Sequence, residues 1–119
     1  MRHHNKNKKF GRQRGERDAL LHGLTVSLIE HGKITTTESR AKALRPRIEK
    51  MITKARSADI AGVRLLRAKL GNNRKITDRL VKEVAPKYKG IAGGYTRITK
   101  LGQRSQSGDA AEMAMIELI

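Results

Sequence analysis

Across ESRAKALRPRIEKMITKAR, residues 38–56, the apolar positions Ala41, Leu44, Ile48, Met51, Ile52 and Ala55 hold helical phase straight through Pro46. Spacings of three and four put all six on one side of a helix. A proline inside a helix removes a backbone donor and bends the axis. Two unrelated helices would not keep a common phase, so one kinked helix is the simpler reading. A helix with one apolar side must bury that side against another element, which sets the requirement for the rest of the chain.

Several segments meet it. In DALLHGLTVSLIEHG, Leu20, Leu21, Leu24, Leu28 and Ile29 recur at helical spacing before Gly32, a residue suited to the left-handed position after a helix. The following KITTT alternates, so Lys33 to Thr36 reads as a short strand. Thr35 and Glu38 have capping-box spacing, with Thr37 a competing cap for the long helix. DIAGVRLLRAKLG points Val63, Leu66 and Leu70 inward and stops at Gly71. After a cap at Asn72 or Asn73, RKITDRLVKEV lines up Ile76, Leu80 and Val84 and ends at Pro86. Tyr95 to Leu101 alternates with β-branched residues and reads as a strand. The closing AAEMAMIELI is helical by propensity, yet Ala114, Ile116 and Leu118 alternate like a strand that would form a hairpin with Tyr95 to Leu101. With no Trp, one Phe and two Tyr in 119 residues, the single core is expected to be aliphatic.

The leader MRHHNKNKKFGRQRGER cannot contribute to that core. It carries Arg2, Lys6, Lys8, Lys9, Arg12, Arg14 and Arg17 against Glu16 alone, with Phe10 its only bulky apolar group after Met1. Burial there cannot offset the entropy of ordering, so a flexible basic extension over residues 1–15 is expected ahead of one domain over 16–119. A formal net charge of +16 suits a chain that lives against phosphates. There is no cysteine, and no apolar run of signal-peptide or membrane-span length, so a soluble cytoplasmic protein is expected.

Enzymatic patterns are weak. His3 and His4 are adjacent in the leader, and His22 and His31 are nine apart, so no pair shows the i,i+4 spacing of a helical metal site. Glu16 and Asp18 stand at a helix start, where acids complement the macrodipole. KGIAGG lacks the GK[ST] ending of a phosphate-binding loop. No enzyme, metal or cofactor is expected.

The cations are more informative. Residues 38–56 hold seven Lys or Arg against two acids, and Arg40, Lys42, Arg45, Arg47, Lys50 and Lys54 read as one face opposite the apolar stripe. A charged stripe is often only a solvated face; a second basic surface in the leader favours RNA. In Gly93-Gly94-Tyr95-Thr96-Arg97 the glycines permit close backbone approach, Tyr95 can stack or donate a hydrogen bond and Arg97 can bind phosphate; the equally weighted plainer reading is a turn with Tyr95 in the core or at its rim. No Lys or Arg follows Arg104, whereas Asp109, Glu112 and Glu117 do, so that end is expected to face away from phosphate.

The opening MRH, the AL(x)3L(x)3L pattern running to His31, ITTT followed by RAKALRP, the downstream GGYTRI and the closing GDAAEMAMIEL together resemble the bacterial-type large-subunit ribosomal protein numbered seventeen, nearly end to end. RAKALRP and GGYTRI at this separation are far more specific than charge. The resemblance implies a two-layer α+β fold of helix, strand, three helices and two strands, which makes the tail a strand. It also implies a structural constituent of the large ribosomal subunit, binding ribosomal RNA near the peptide tunnel exit, contacting neighbouring ribosomal proteins, and supporting assembly and translation. The candidate RNA-binding residues are then Arg2, His3, Lys6, Lys8, Lys9, Arg12, Arg14 and Arg17; Arg40, Lys42, Arg45, Arg47, Lys50 and Lys54; and Gly93, Gly94, Tyr95, Arg97 and Arg104. The leader's glycines, Gly11 and Gly15, would let RNA come close. The runner-up is a free RNA- or DNA-binding regulator or architectural protein, and an RNA-modifying enzyme stands third.

Overall fold

The computed structural model describes residues 14–104 and 111–119. Its elements are helix α1 (Arg14–His31), strand β1 (Lys33–Thr37), helices α2 (Glu38–Arg56), α3 (Ile60–Lys69) and α4 (Arg74–Arg79), and strands β2 (Thr96–Gln103) and β3 (Glu112–Leu118). The three strands form one antiparallel sheet in the order β1-β3-β2. The α+β architecture expected from the resemblance is therefore the one observed, and β3 lies between the other two strands.

Helix α2 joins the two layers. It runs unbroken with Pro46 inside, and all six residues of its apolar stripe are buried. It packs on all three strands and on α1, α3 and the segment following α4. The competing cap prevails at its start: the Thr37 hydroxyl accepts from the Arg40 N–H at 3.3 Å, and Thr37 still completes β1. Asn73 caps α4 by accepting from the Ile76 N–H at 3.1 Å, while Asn72 takes the left-handed conformation with φ 61°. At the start of α3, Asp59 accepts from the Gly62 N–H at 2.8 Å.

The sheet presents one face to the helices. Ile34, Ile116 and Ile98 stand in register across β1, β3 and β2, with Ile116 fully buried and the other two packed against the core. Alternation along β3 leaves Met113, Met115 and Glu117 half-buried. This pattern, with backbone pairing on both edges, outweighs the helical propensity of AAEMAMIELI. A bulge between Lys100 and Gly102 leaves Leu101 extra and exposed, and Gly102 supplies the positive φ of 87° there.

Four expectations need correction. Helix α1 starts at Arg14, taking in Arg14 and Gly15, and its Leu20 and Leu21 are only half-buried whereas Leu28 and Ile29 are fully inside. Pro86 does not end the fourth helical segment. After Arg79 the chain makes a π turn (Leu80–Val84) and then a 3₁₀ turn (Ala85–Tyr88), with Pro86 in the first turn of the latter, where no N–H donor is needed. The wide turn shifts the phase by one residue, so Val84 and Ala85 are both buried. Val63 is half-buried, whereas Leu66 and Leu70 are inside. Finally, the core is not purely aliphatic: Tyr88 and Tyr95 are both buried, their ring centroids 5.1 Å apart at an interplanar angle of 57°.

Candidate nucleic-acid interface

The cations of α2 fall into two sets rather than one stripe. On one flank Lys42 Nζ lies 2.9 Å from Glu38 Oε1, and Arg45 Nε 3.7 Å from Glu49 Oε1, both at i,i+4 spacing. Glu38 also receives Lys100 from β2 at 3.6 Å. Its hydrogen bond with Lys42, aided by the charge of Lys100, holds the Glu38 carboxyl below its ordinary pKa. Arg56, at the end of α2, donates to the carbonyls of Tyr88 and Ile91 and lies over the Tyr95 ring, 5.5 Å from its centroid. These cations already have partners within the fold.

The other flank has none of this. Arg47, Lys50 and Lys54 of α2 meet Lys69, from the last turn of α3, around an open groove of about 500 Å³. Leu21 of α1, with Ala43, Pro46 and Met51 of α2, completes its lining. Among the described residues no carboxylate pairs with any of the four cations. Lys54, through its contact and charge, together with some desolvation and the charges of Lys50 and Arg47, lowers the Lys69 pKa. Arg47 Nε is buried with no acceptor from the described residues. Four like charges with no carboxylate partner among the described residues make a site prepared for an anion. Arg40, the remaining cation of the expected stripe, is half-buried beside Thr37 and Glu112 instead. Lys69 was missed because its approach to Lys54 is a tertiary contact between two helices that carries no sequence spacing.

The glycine loop meets this surface. Gly93 and Gly94 share a shallow depression with Lys50 and Lys54, so the two surfaces singled out separately in the sequence are contiguous. A Cβ at either glycine would meet open space, and Gly94 has φ 72°. Tyr95 is different. The residue is 1% exposed, its N–H donates to Glu49 Oε2 at 2.9 Å, and its hydroxyl bonds Thr53 Oγ1 at 3.1 Å and the Ile91 carbonyl at 3.3 Å. The expected base-stacking role of Tyr95 gives way to the core reading. Tyr95→Phe is expected to cost about 1 kcal/mol of stability, measured by urea unfolding, and to leave RNA affinity unchanged. The reverse pattern would return Tyr95 to the interface.

Arg97 is exposed but donates to Glu117 Oε1 across the sheet at 2.9 Å. Arg104 reaches Met113 Sδ at 3.2 Å. Arg14 is exposed at the start of α1 and Arg17 is half-buried one turn on. Arg2, His3, Lys6, Lys8, Lys9 and Arg12, with Gly11, lie outside the described residues. No helix of the described residues is long and apolar enough to cross a membrane.

Residues 20–119 match the model of a family described as ribosomal protein L17. The large ribosomal subunit protein bL17 of Persephonella marina is 51% identical over 119 residues, covering 100% of this chain and 95% of the relative. That of Campylobacter hominis is 49% identical over 119 residues, covering 100% and 98%. The bL17 protein of Bdellovibrio bacteriovorus is 45% identical over 117 residues, 98% of this chain but 63% of that longer relative.

Proposed function

This chain belongs to the ribosomal protein L17 family and has a structural role in the ribosome, and from that premise we propose that it binds large-subunit ribosomal RNA near the exit of the peptide tunnel, in contact with neighbouring ribosomal proteins, and supports subunit assembly and translation. The observation that carries RNA binding is the groove of Arg47, Lys50, Lys54 and Lys69, four cations with no carboxylate partner among the described residues. Phosphates are the counterions such a surface takes up, releasing condensed ions from the nucleic acid as they do. Gly93 and Gly94 extend the surface with backbone that an RNA strand can approach. The tunnel-exit position follows from the family resemblance. The leader's cations, and Arg14 and Arg17 beside them, add a second electrostatic contribution under the same reading.

The test is where the untagged protein travels when a cell lysate is centrifuged through a sucrose gradient. Co-sedimentation with the large subunit that survives a moderate salt wash is the expected result. Recovery in the soluble fraction, bound to DNA or small RNAs, would favour a free regulator instead.

A further inference from the structure

We propose that the groove between α1, α2 and the end of α3 holds one unpaired nucleotide of the RNA, its phosphates on Lys50, Lys54 and Lys69 and its sugar and base edge on Leu21, Pro46 and Met51. This rests on the RNA-binding reading and says what form of RNA the groove takes.

Shape is the first reason. A duplex backbone is convex and needs only a flat or gently curved row of cations, whereas this groove is a concavity of about 500 Å³, within the range that encloses small organic groups. Chemistry is the second. Its lining alternates a cationic rim with apolar side chains, and a phosphate alone has no use for Leu21, Pro46 and Met51. A nucleotide has both parts: an anionic end for the rim and a weakly polar sugar and base for the floor. The third reason is the buried Nε of Arg47, a donor without an acceptor among the described residues. Leaving such a donor unpaired is costly, and a base or sugar oxygen seated in the groove would supply the acceptor after a small movement of the guanidinium. RNA recognition draws on unpaired bases splayed from loops and bulges for the same reason, since a paired base has its edges occupied. Lys54 foremost, then Lys50 and Arg47, disfavour the charge on Lys69, and a phosphate among them relieves that repulsion.

The experiment uses the full-length chain and two RNA hairpins with equal numbers of phosphates, each closed by an ethylene-glycol linker in place of a nucleotide loop, one fully paired and one carrying a single bulged nucleotide as its only unpaired base. Affinities are measured by fluorescence anisotropy at fixed salt. The bulged hairpin is expected to bind about tenfold more tightly, the scale of one buried base. Ala43→Leu, which fills the groove with no change of charge, is expected to remove that preference and retain the affinity for the paired hairpin. Lys69→Ala is expected to weaken both. A second readout on the unaltered protein is the methyl NMR signals of Leu21 and Met51, which are expected to shift with the bulged hairpin and not with the paired one. Equal binding of the two hairpins with unmoved methyl signals would overturn the proposal and leave RNA binding standing; failure of both hairpins to bind would instead overturn the RNA-binding reading on which it rests. Displacement of the bulged hairpin by a poly-glutamate peptide, with the same methyl shifts at similar affinity, would overturn it in favour of an acidic protein segment.

Discussion

Ile48→Ala is expected to destabilise the protein by about 2–5 kcal/mol, read from equilibrium urea unfolding with an unchanged denaturant slope. Ile48 is fully buried near the middle of α2, the helix that packs on every strand and on α1 and α3, so the cavity would open where both layers meet. Its neighbour two residues on gives the contrast. Lys50 is exposed and lines both the cation groove and the glycine depression, so Lys50→Ala is expected to change stability by less than about 0.5 kcal/mol. The salt dependence of RNA binding should become shallower by roughly 0.7–0.9 log units per log unit of salt, the loss of one phosphate contact. Exchanged phenotypes would mean that the faces of α2 are misassigned.

Removal of residues 2–13 is expected to have the largest effect on binding. It deletes Arg2, Lys6, Lys8, Lys9 and Arg12 while keeping every residue of α1 and of the buried core. If all five cations neutralise phosphates, the slope of log affinity against log salt becomes shallower by roughly 3.5–4.5. Cooperative thermal unfolding should persist, because every buried side chain of the described residues is kept. Salt titration of the affinity for a large-subunit RNA fragment, full length against truncated, measures the first, and calorimetry the second. An unchanged slope with an intact fold would assign the RNA contacts to the α2 and α3 groove.

Much of the fold was legible because its determinants are local. The stripe Ala41 to Ala55 survives Pro46 because α2 continues in one phase, and Thr37 and Asn73 act as caps because their side chains reach N–H groups three residues ahead. The C-terminal strand was ambiguous in composition, since Ala, Glu, Met and Leu favour a helix by propensity; its identity depends on pairing with β1 on one side and β2 on the other. Tyr95 was harder still. Its partners Glu49, Thr53 and Arg56 lie about forty residues earlier in the chain, and nothing in GGYTR encodes that meeting.

The arrangement of the cations was legible only in outline for a similar reason. Charge density singles out α2, but which of its cations are already paired depends on acids that share a flank. The Glu38–Lys42 and Arg45–Glu49 pairs stand at i,i+4 in the sequence, so a signal for setting Lys42 and Arg45 apart was available. Lys69 offered no such signal, because it joins the groove only through the packing of α3 against α2.

The central claim, that RNA lies against the groove and the glycine depression and not against the outer face of the sheet, is tested most directly by tethered cleavage in assembled large subunits. The chain has no cysteine, so single attachment points for an iron chelate are simply introduced. Gly93→Cys places it beside Lys50 and Lys54, where a Cβ meets open space; Thr35→Cys places it in the middle of β1, exposed on the face away from the helices. Strong hydroxyl-radical cuts in ribosomal RNA from position 93, with few or none from position 35, are the predicted result. Cuts from position 35 with none from position 93 would contradict the account.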